Sequence, residues 1–139
     1  MKKVMILCAA VLFSQAVAAE TYQDAFNKAR AMYGKGHEFQ WQGKTYQTLH
    51  EEEIEADVDA TEANAKALLE KAVAANKKVA DVGFEWKLTG GLLKQSAQAI
   101  DAGDYRKALD LAAQAKYHAR IGFAQYGYAQ ANWIKAVPQ

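Results

Sequence analysis

The three histidines of this 139-residue chain are the first candidates for metal binding or acid–base chemistry. His37, His50 and His118 lie far apart and form neither H-x-x-x-H nor H-E-x-x-H, the spacings that place two ligands on one helix face. Three glutamates follow His50 and could add carboxylates to a weak metal site, but a solvated charged segment is the simpler interpretation. We therefore expect no metal site.

The sequence also offers no convincing catalytic nucleophile or cofactor-binding motif. Ser14 lies in the N-terminal segment, and Ser96 falls on the apolar side of a predicted helix, so neither favours nucleophilic catalysis. Gly90-Gly91 lacks the spacing of a phosphate-binding loop, and the C-x-x-C-H motif of c-type haem attachment is missing from the sequence. The sequence predicts a non-catalytic protein without a cofactor.

The N-terminus has the layout of a secretory signal peptide. Two lysines precede an apolar run over residues 4–13, and small residues follow over 16–19. This run is too short to cross a bilayer, which takes about 20 residues. We predict a signal peptide over residues 1–19, cleavage near Ala18 or Ala19, and a periplasmic location.

The mature chain, residues 20–139, is predicted to be a single helical domain. Cys8 leaves with the signal peptide, so the mature chain has no cysteine and depends on its packed core. The 17 basic and 16 acidic residues become 15 and 16 when Lys2 and Lys3 are removed. This near-neutral charge argues against nucleic acid as a partner, and no membrane span is expected in the mature chain.

Hydrophobic spacing predicts a mainly α protein with one short β-hairpin. Thr21 and Asp104 are expected to cap helices, Asp59 and Glu62 could form a capping box, and Gly83 is a stop signal. Residues 51–59 lack the order of a calcium loop and are interpreted as a solvated loop or the first turn of a helix. The predicted helices cover residues 21–33, 60–81, 92–102 and 104–135, and the hairpin lies within 38–50.

These elements should form a small helical bundle built on a long C-terminal αα-hairpin that turns at Gly103-Asp104. The N-terminal β-hairpin turns at Gln42-Gly43 and carries an aromatic face, which should dock on a helix because an isolated hairpin is only marginally stable. That face comprises Phe39, Trp41 and Tyr46.

The last helix carries two apolar stripes. The first is predicted to be the core seam and comprises Leu109, Ala112, Ala115, Ala119, Phe123, Tyr126 and Trp133. The second lies nearly opposite and comprises Tyr117, Ile121, Ala124 and Tyr128. Either the N-terminal helix or hairpin covers the second stripe, or it stays exposed and binds a partner.

Two further features are candidates for partner binding. His118 and Arg120 beside Tyr117 could face an acidic or haem-bearing partner, or could simply decorate the surface. Glu85-Trp86 lies in the connection before the third long helix; its tryptophan could plug the end of the bundle or could contact a partner. The candidate partner-binding residues are Tyr117, Ile121, Tyr128, Glu85, Trp86, His118 and Arg120.

The sequence over residues 64–125 resembles the SoxXA-binding proteins. The resemblance rests on Gly83-Phe84-Glu85-Trp86-Lys87-Leu88-Thr89, Leu92-Leu93-Lys94, Ala102-Gly103-Asp104-Tyr105, Lys107-Ala108, Leu111-Ala112 and Ala115. It implies a non-catalytic accessory protein that binds a periplasmic c-type cytochrome complex of thiosulfate oxidation and holds no haem itself. The alternative is a periplasmic module that binds a small molecule or the cell envelope in a cleft lined by Phe39, Trp41, Tyr46 and Trp86.

Overall fold

The computed structural model describes residues 20–136, so the predicted signal peptide at residues 1–19 lies outside the described residues. The described part contains five helices and two strands, which confirms the predicted mainly α class with one N-terminal β-hairpin. It divides into two compact units, the first ending at Thr48 and the second beginning at Leu49. The elements are α1 (Tyr22–Tyr33), β1 (Glu38–Trp41), β2 (Lys44–Gln47), α2 (Glu51–Ala56), α3 (Glu62–Asp81), α4 (Thr89–Asp101) and α5 (Tyr105–Ala136).

In the first unit, local signals set both the helix and the hairpin. The Thr21 hydroxyl caps α1 by accepting a hydrogen bond from the Asp24 backbone N–H at 3.2 Å. Gln42 and Gly43 have φ of 48° and 76°, the left-handed conformations that a two-residue hairpin turn requires. The resulting register places Phe39 opposite Tyr46.

The aromatic face of the hairpin packs around Tyr22 of α1. The Tyr22 ring centroid lies 6.0 Å from that of Phe39, 5.5 Å from Trp41 and 5.1 Å from Tyr46. Edge and tilted contacts of this kind add to the stabilisation from buried aromatic area. The predicted docking of the hairpin on a helix is therefore confirmed.

Thr48 joins the end of β2 to the end of α1. Its hydroxyl is fully buried, accepts a hydrogen bond from the His37 backbone N–H at 2.8 Å and donates one to the Gly34 carbonyl at 2.7 Å. A buried hydroxyl needs such partners to offset its loss of water. The hydrophobic pattern gave no indication of this role, because threonine is an ordinary strand residue.

In the second unit, α5 packs against α2, α3 and α4. Small side chains let the helices approach closely, and Leu109 of α5 is the largest apolar side chain that is fully buried. The Ser96 hydroxyl is also buried and donates to the Ala108 carbonyl at 2.8 Å, so this serine joins α4 to α5. The core consists of Ala56, Ala65, Leu68, Ala72, Ala99, Ile100, Ala108, Leu109, Ala112, Ala113 and Ala115.

Two predicted helix starts differ from the structure. Thr61, not Asp59, caps α3, and its hydroxyl accepts from the Asn64 backbone N–H at 3.2 Å. Helix α4 begins at Thr89, so Gly90 and Gly91 belong to its first turn, not to the connection. Both differences concern terminal residues, where a helix boundary is the least certain part of a sequence-based prediction, and α4 begins after Leu88 without a side-chain cap.

The predicted core seam of α5 is correct only as far as Ala119. Beyond it, Phe123 is 51% exposed, Trp133 is 59% exposed and Tyr126 is half-buried. The physical reason is length, since α5 has 32 residues whereas α3 has 20 and α4 has 13. None of residues 20–136 forms a helix that is both long enough and apolar enough to cross a membrane.

Gly122 marks the point where the connection after α3 crosses α5. A Cβ atom at Gly122 would lie 2.6 Å from the Phe84 carbonyl oxygen and 2.9 Å from Cγ2 of Val79. The first distance involves backbone, which cannot rotate away. Glycine at this position therefore permits a close approach that any larger residue would prevent.

We expect Gly122→Ala to lower the free energy of unfolding by about 1–3 kcal/mol, because the added methyl group clashes with backbone. The matched control is Gly127→Ala on the same helix, where a Cβ would meet no atom within 4 Å. This control should gain up to about 1 kcal/mol from helix propensity. Urea unfolding of both variants measures the difference, and equal effects of the two substitutions would contradict the close approach at Gly122.

Candidate functional site

The short helix α2 is held on α5 by an ion pair between a buried carboxylate and a partly exposed arginine. The Glu52 side chain is 1% exposed, and its two oxygens accept from Nε of Arg120 at 2.7 Å and Nη2 at 3.1 Å. Two parallel hydrogen bonds of this kind are the strongest geometry for a guanidinium and a carboxylate. The hydrogen bond to Glu52 raises the pKa of Arg120 above its already high usual value.

Further charges extend this contact along both helices. Lys116 Nζ lies 2.6 Å from Glu55 Oε1, and Arg120 Nε lies 2.8 Å from Glu51 Oε1. Arg106 also donates a hydrogen bond to the Ala56 carbonyl at the end of α2. The interpretation of residues 51–59 as a solvated segment is therefore wrong for Glu52.

A signal for this pairing was present in the sequence. Lys116 and Arg120 are four residues apart, so they lie on one side of α5, and Glu52 and Glu55 have the matching three-residue spacing. Two acidic residues on one helix and two basic residues on the other can pair when the helices pack side by side. The sequence analysis did not predict this pairing, because it considered the acidic segment and the last helix separately.

A groove of about 590 Å³ opens beside this ion-pair network, between α2, α3 and α5. We call it the α2–α3–α5 groove. Ala74 and Ala75 of α3 and Ala119 of α5 contribute apolar surface to it, and Phe123 also lines it. Its volume lies within the range of small-molecule sites.

The large side chains of the predicted second stripe differ in their surroundings; they are Tyr117, Ile121 and Tyr128. The Tyr117 ring lies 4.6 Å from the His50 ring, and the Arg120 guanidinium carbon lies 5.3 Å from the Tyr117 ring centre. Ile121 is half-buried, whereas Tyr128 is 72% exposed. Of these three side chains, only that of Tyr128 is freely accessible.

Glu85 and Trp86 both make contacts within the second unit. Trp86 Nε1 donates to Gln125 Oε1 at 2.9 Å, and its ring lies 4.9 Å from that of His118. Glu85 is exposed and accepts from Asn76 Nδ2 at 2.6 Å. The half-buried Trp86 thus anchors the connection between α3 and α4 on α5.

His118 lies half-buried under Trp86. Its Nδ1 is buried and has no hydrogen-bond partner among residues 20–136. Burial lowers the pKa of the His118 imidazole below 6.5, because the charged form loses its hydration there. The imidazole is therefore neutral at physiological pH.

The structure brings the predicted residues together in two places and leaves one apart. Tyr117 and Arg120 meet α2, Trp86 and His118 meet each other, and Tyr128 lies farther along α5. Across residues 20–136, the histidines and acidic side chains form no group of three or more that could hold a metal ion. The charge network therefore joins α2 to α5.

Comparison of the chain with protein-family models, with curated proteins and with solved structures found no match. The resemblance to SoxXA-binding proteins therefore stays a prediction.

Replacing Arg120 by alanine leaves the Glu52 carboxylate buried without its main counter-charge. Removing one member of a fully buried pair costs about 3–5 kcal/mol. The Arg120 side chain is 39% exposed, so water can partly replace it, and we expect a loss of about 2–3 kcal/mol in unfolding free energy. Lys66→Ala, which removes an exposed pair with Glu62, is the control and should lower the free energy of unfolding far less than Arg120→Ala, because water and salt screen exposed pairs. Equal losses in chemical unfolding would contradict the pairing of Arg120 with a buried carboxylate.

His118 should also make stability depend on pH. Because its pKa in the folded protein is below 6.5, the unfolded chain takes up a proton first as the pH falls. The free energy of unfolding should therefore decrease from pH 6.5 down to the lower folded-state pKa and then level off with respect to this group. Urea unfolding over a pH series should show a shallower decrease for His118→Gln. An unchanged pH slope in the variant would contradict this assignment.

Proposed function

We propose that the protein is an exported, non-catalytic accessory protein that binds a partner protein through the end of α5. The contact residues are Tyr126 and Trp133 on one side of α5 and Tyr128 on nearly the opposite side, so the partner has to enclose this end of the helix. We call these three residues the distal α5 surface. The observation that carries the proposal is the exposure of large aromatic side chains on α5, which extends beyond the packed core of its own bundle. Contiguous exposed apolar surface is typical of interaction sites, and Trp133 lies on the same side of α5 as Phe123 and Tyr126.

Aromatic side chains suit this role because they bury much area with few rotatable bonds. Tyrosine and tryptophan are enriched among the residues that dominate binding energies at protein interfaces. A helix presenting such side chains can insert into a groove of its partner. Residues 123–135 of α5 include no buried side chain among those whose burial the structure describes, so this segment is accessible.

The other candidate residues act by holding this helix in place. Trp86 and His118 fix the connection after α3 against α5, and Tyr117 and Arg120 fix α2 against it. Glu85 precedes Trp86 and accepts a hydrogen bond from Asn76 of α3, and Ile121 follows Arg120 on α5 and is half-buried. In this proposal Tyr128 touches the partner directly, and the others give α5 its orientation.

The resemblance to SoxXA-binding proteins supplies the partner that we propose, a periplasmic c-type cytochrome complex of thiosulfate oxidation. Export by residues 1–19 would bring the protein to that compartment. A near-neutral mature charge fits a contact that depends on aromatic packing more than on long-range attraction.

Surface plasmon resonance with purified SoxXA cytochrome and the mature chain tests this proposal. We expect the double variant Tyr128→Ala/Trp133→Ala to weaken binding at least about tenfold, because it removes two anchor side chains. Both residues are exposed, so the fold and its unfolding midpoint should change little.

Two control variants keep the result specific. Gln130→Ala changes a polar exposed residue on the same helix, and Leu88→Ala removes an exposed apolar side chain elsewhere in the second unit. Both should bind like the parent protein. Equal binding by the double variant and the parent, or no binding of the parent, would refute the proposal.

A further inference from the structure

The α2–α3–α5 groove combines an apolar floor with two lysines that pair with no acidic residue among residues 20–136. Its floor is made of alanines, with Ala119 buried, Ala75 half-buried and Ala74 exposed. Alanine side chains leave space above the helix backbones, and the exposed Phe123 ring also borders this space. A slender apolar group could therefore lie along the floor.

Each acidic residue of the groove contacts a cation, although Oε2 of Glu55 is buried without a hydrogen-bond partner among residues 20–136. Glu51 and Glu52 contact Arg120, and Glu55 contacts Lys116. Three carboxylates face two cations in this network, which leaves it with one net negative charge, and the two lysines described next outweigh that charge. The remaining charges that line it are the ammonium groups of Lys71 and Lys78 on α3.

Lys71 and Lys78 differ from the other lysines of α3 in their surroundings. Lys66 pairs with Glu62 and Lys77 pairs with Asp81, each at a spacing of four residues. Lys71 has alanine four residues to either side, and Lys78 has alanine and valine there. The structure gives neither of them an ion pair with any acidic residue in the part of the chain that it describes.

The spacing of these two lysines suits a single anionic group. They are seven residues apart, which is two turns or about 10.5 Å along α3, and lie on one face. Their flexible side chains can both reach an anion placed over Ala74 and Ala75, which lie between them. A carboxylate there would meet two cations, while an attached chain could extend over Ala119.

We propose that the α2–α3–α5 groove binds an amphiphile with a carboxylate head and a linear aliphatic tail. Lys71 and Lys78 hold the carboxylate, and the tail lies on the alanine floor and ends near Phe123. The site is separate from the distal α5 surface and from the partner protein proposed to bind there. Charge complementarity selects the carboxylate, and the apolar floor selects the tail.

Isothermal titration calorimetry of the mature chain with dodecanoate, below its micelle concentration, tests the proposal. We expect saturable binding of one molecule and weakening by about tenfold in the double variant Lys71→Gln/Lys78→Gln, since each charged contact contributes to affinity. Acetate, which has the head alone, and dodecyltrimethylammonium, which has the same tail with a cation, should not bind. Absence of dodecanoate binding, or equal binding of dodecyltrimethylammonium, would overturn the proposal.

The matched control is Lys66→Gln/Lys77→Gln, which removes the same charge from the same helix outside the groove. It should bind dodecanoate within about twofold of the parent, because distant exposed charges are screened by salt. A second variant, Ala74→Leu, keeps both cations, fills the floor with a good helix former and should also weaken binding about tenfold. Circular dichroism checks that each variant is folded. Unchanged affinity in the Lys71/Lys78 variant, or equal loss in the Lys66/Lys77 control, would refute the site.

Two further measurements separate the groove from the distal α5 surface and from binding to a membrane. The Tyr128→Ala/Trp133→Ala variant should bind dodecanoate like the parent, so a failure of the partner proposal would leave this result intact. Vesicles with phosphatidylglycerol headgroups test a membrane surface as the source of the anion and should not retain the protein. Retention on vesicles without binding of free dodecanoate would overturn the proposal.

Discussion

The ion pair of the buried Glu52 carboxylate and Arg120 is the interaction on which the arrangement of the second unit depends. A carboxylate that is almost fully removed from water must be paired, so α2 can lie only where Arg120 reaches it. This condition fixes α2 against α5, brings His50 onto Tyr117 and forms one wall of the α2–α3–α5 groove. Because desolvation offsets much of the attraction, the net contribution of the pair to stability is smaller than the cost of removing one partner.

The alanine-rich core determines where the rest of the surface is accessible. Small side chains let α3 and α4 lie close to the first half of α5, and Gly122 permits the connection after α3 to cross it at backbone distance. Past that crossing α5 continues with large aromatic side chains. The exposure of Trp133 is therefore a consequence of unequal helix lengths, since its stripe is core at one end and exposed at the other, whereas Tyr128 belongs to the opposite stripe.

The two proposed binding surfaces have different chemistry because they arise in different ways. The groove results from alanines beneath the space that three helices leave between them, and its two lysines lie on a helix where Lys66 and Lys77 are paired internally. The distal α5 surface results from aromatic residues on a single helix. Trp86 and His118 are both half-buried, and their mutual packing anchors the connection between α3 and α4 on α5.

The sequence by itself determined the four longer helices, the hairpin and the caps of α1 and α5, because these follow from neighbours within four residues. Thr21, Asp104 and the Gln42-Gly43 turn are examples, with Asp104 accepting a hydrogen bond from the Lys107 backbone N–H at 3.2 Å. Only the tertiary structure decided that Glu52 is buried and where burial ends along α5. The first depends on a partner 68 residues away, and the second on the relative lengths of helices that pack together. Hydrophobic periodicity reports which face of a helix is apolar, but the neighbouring elements decide how much of that face is covered.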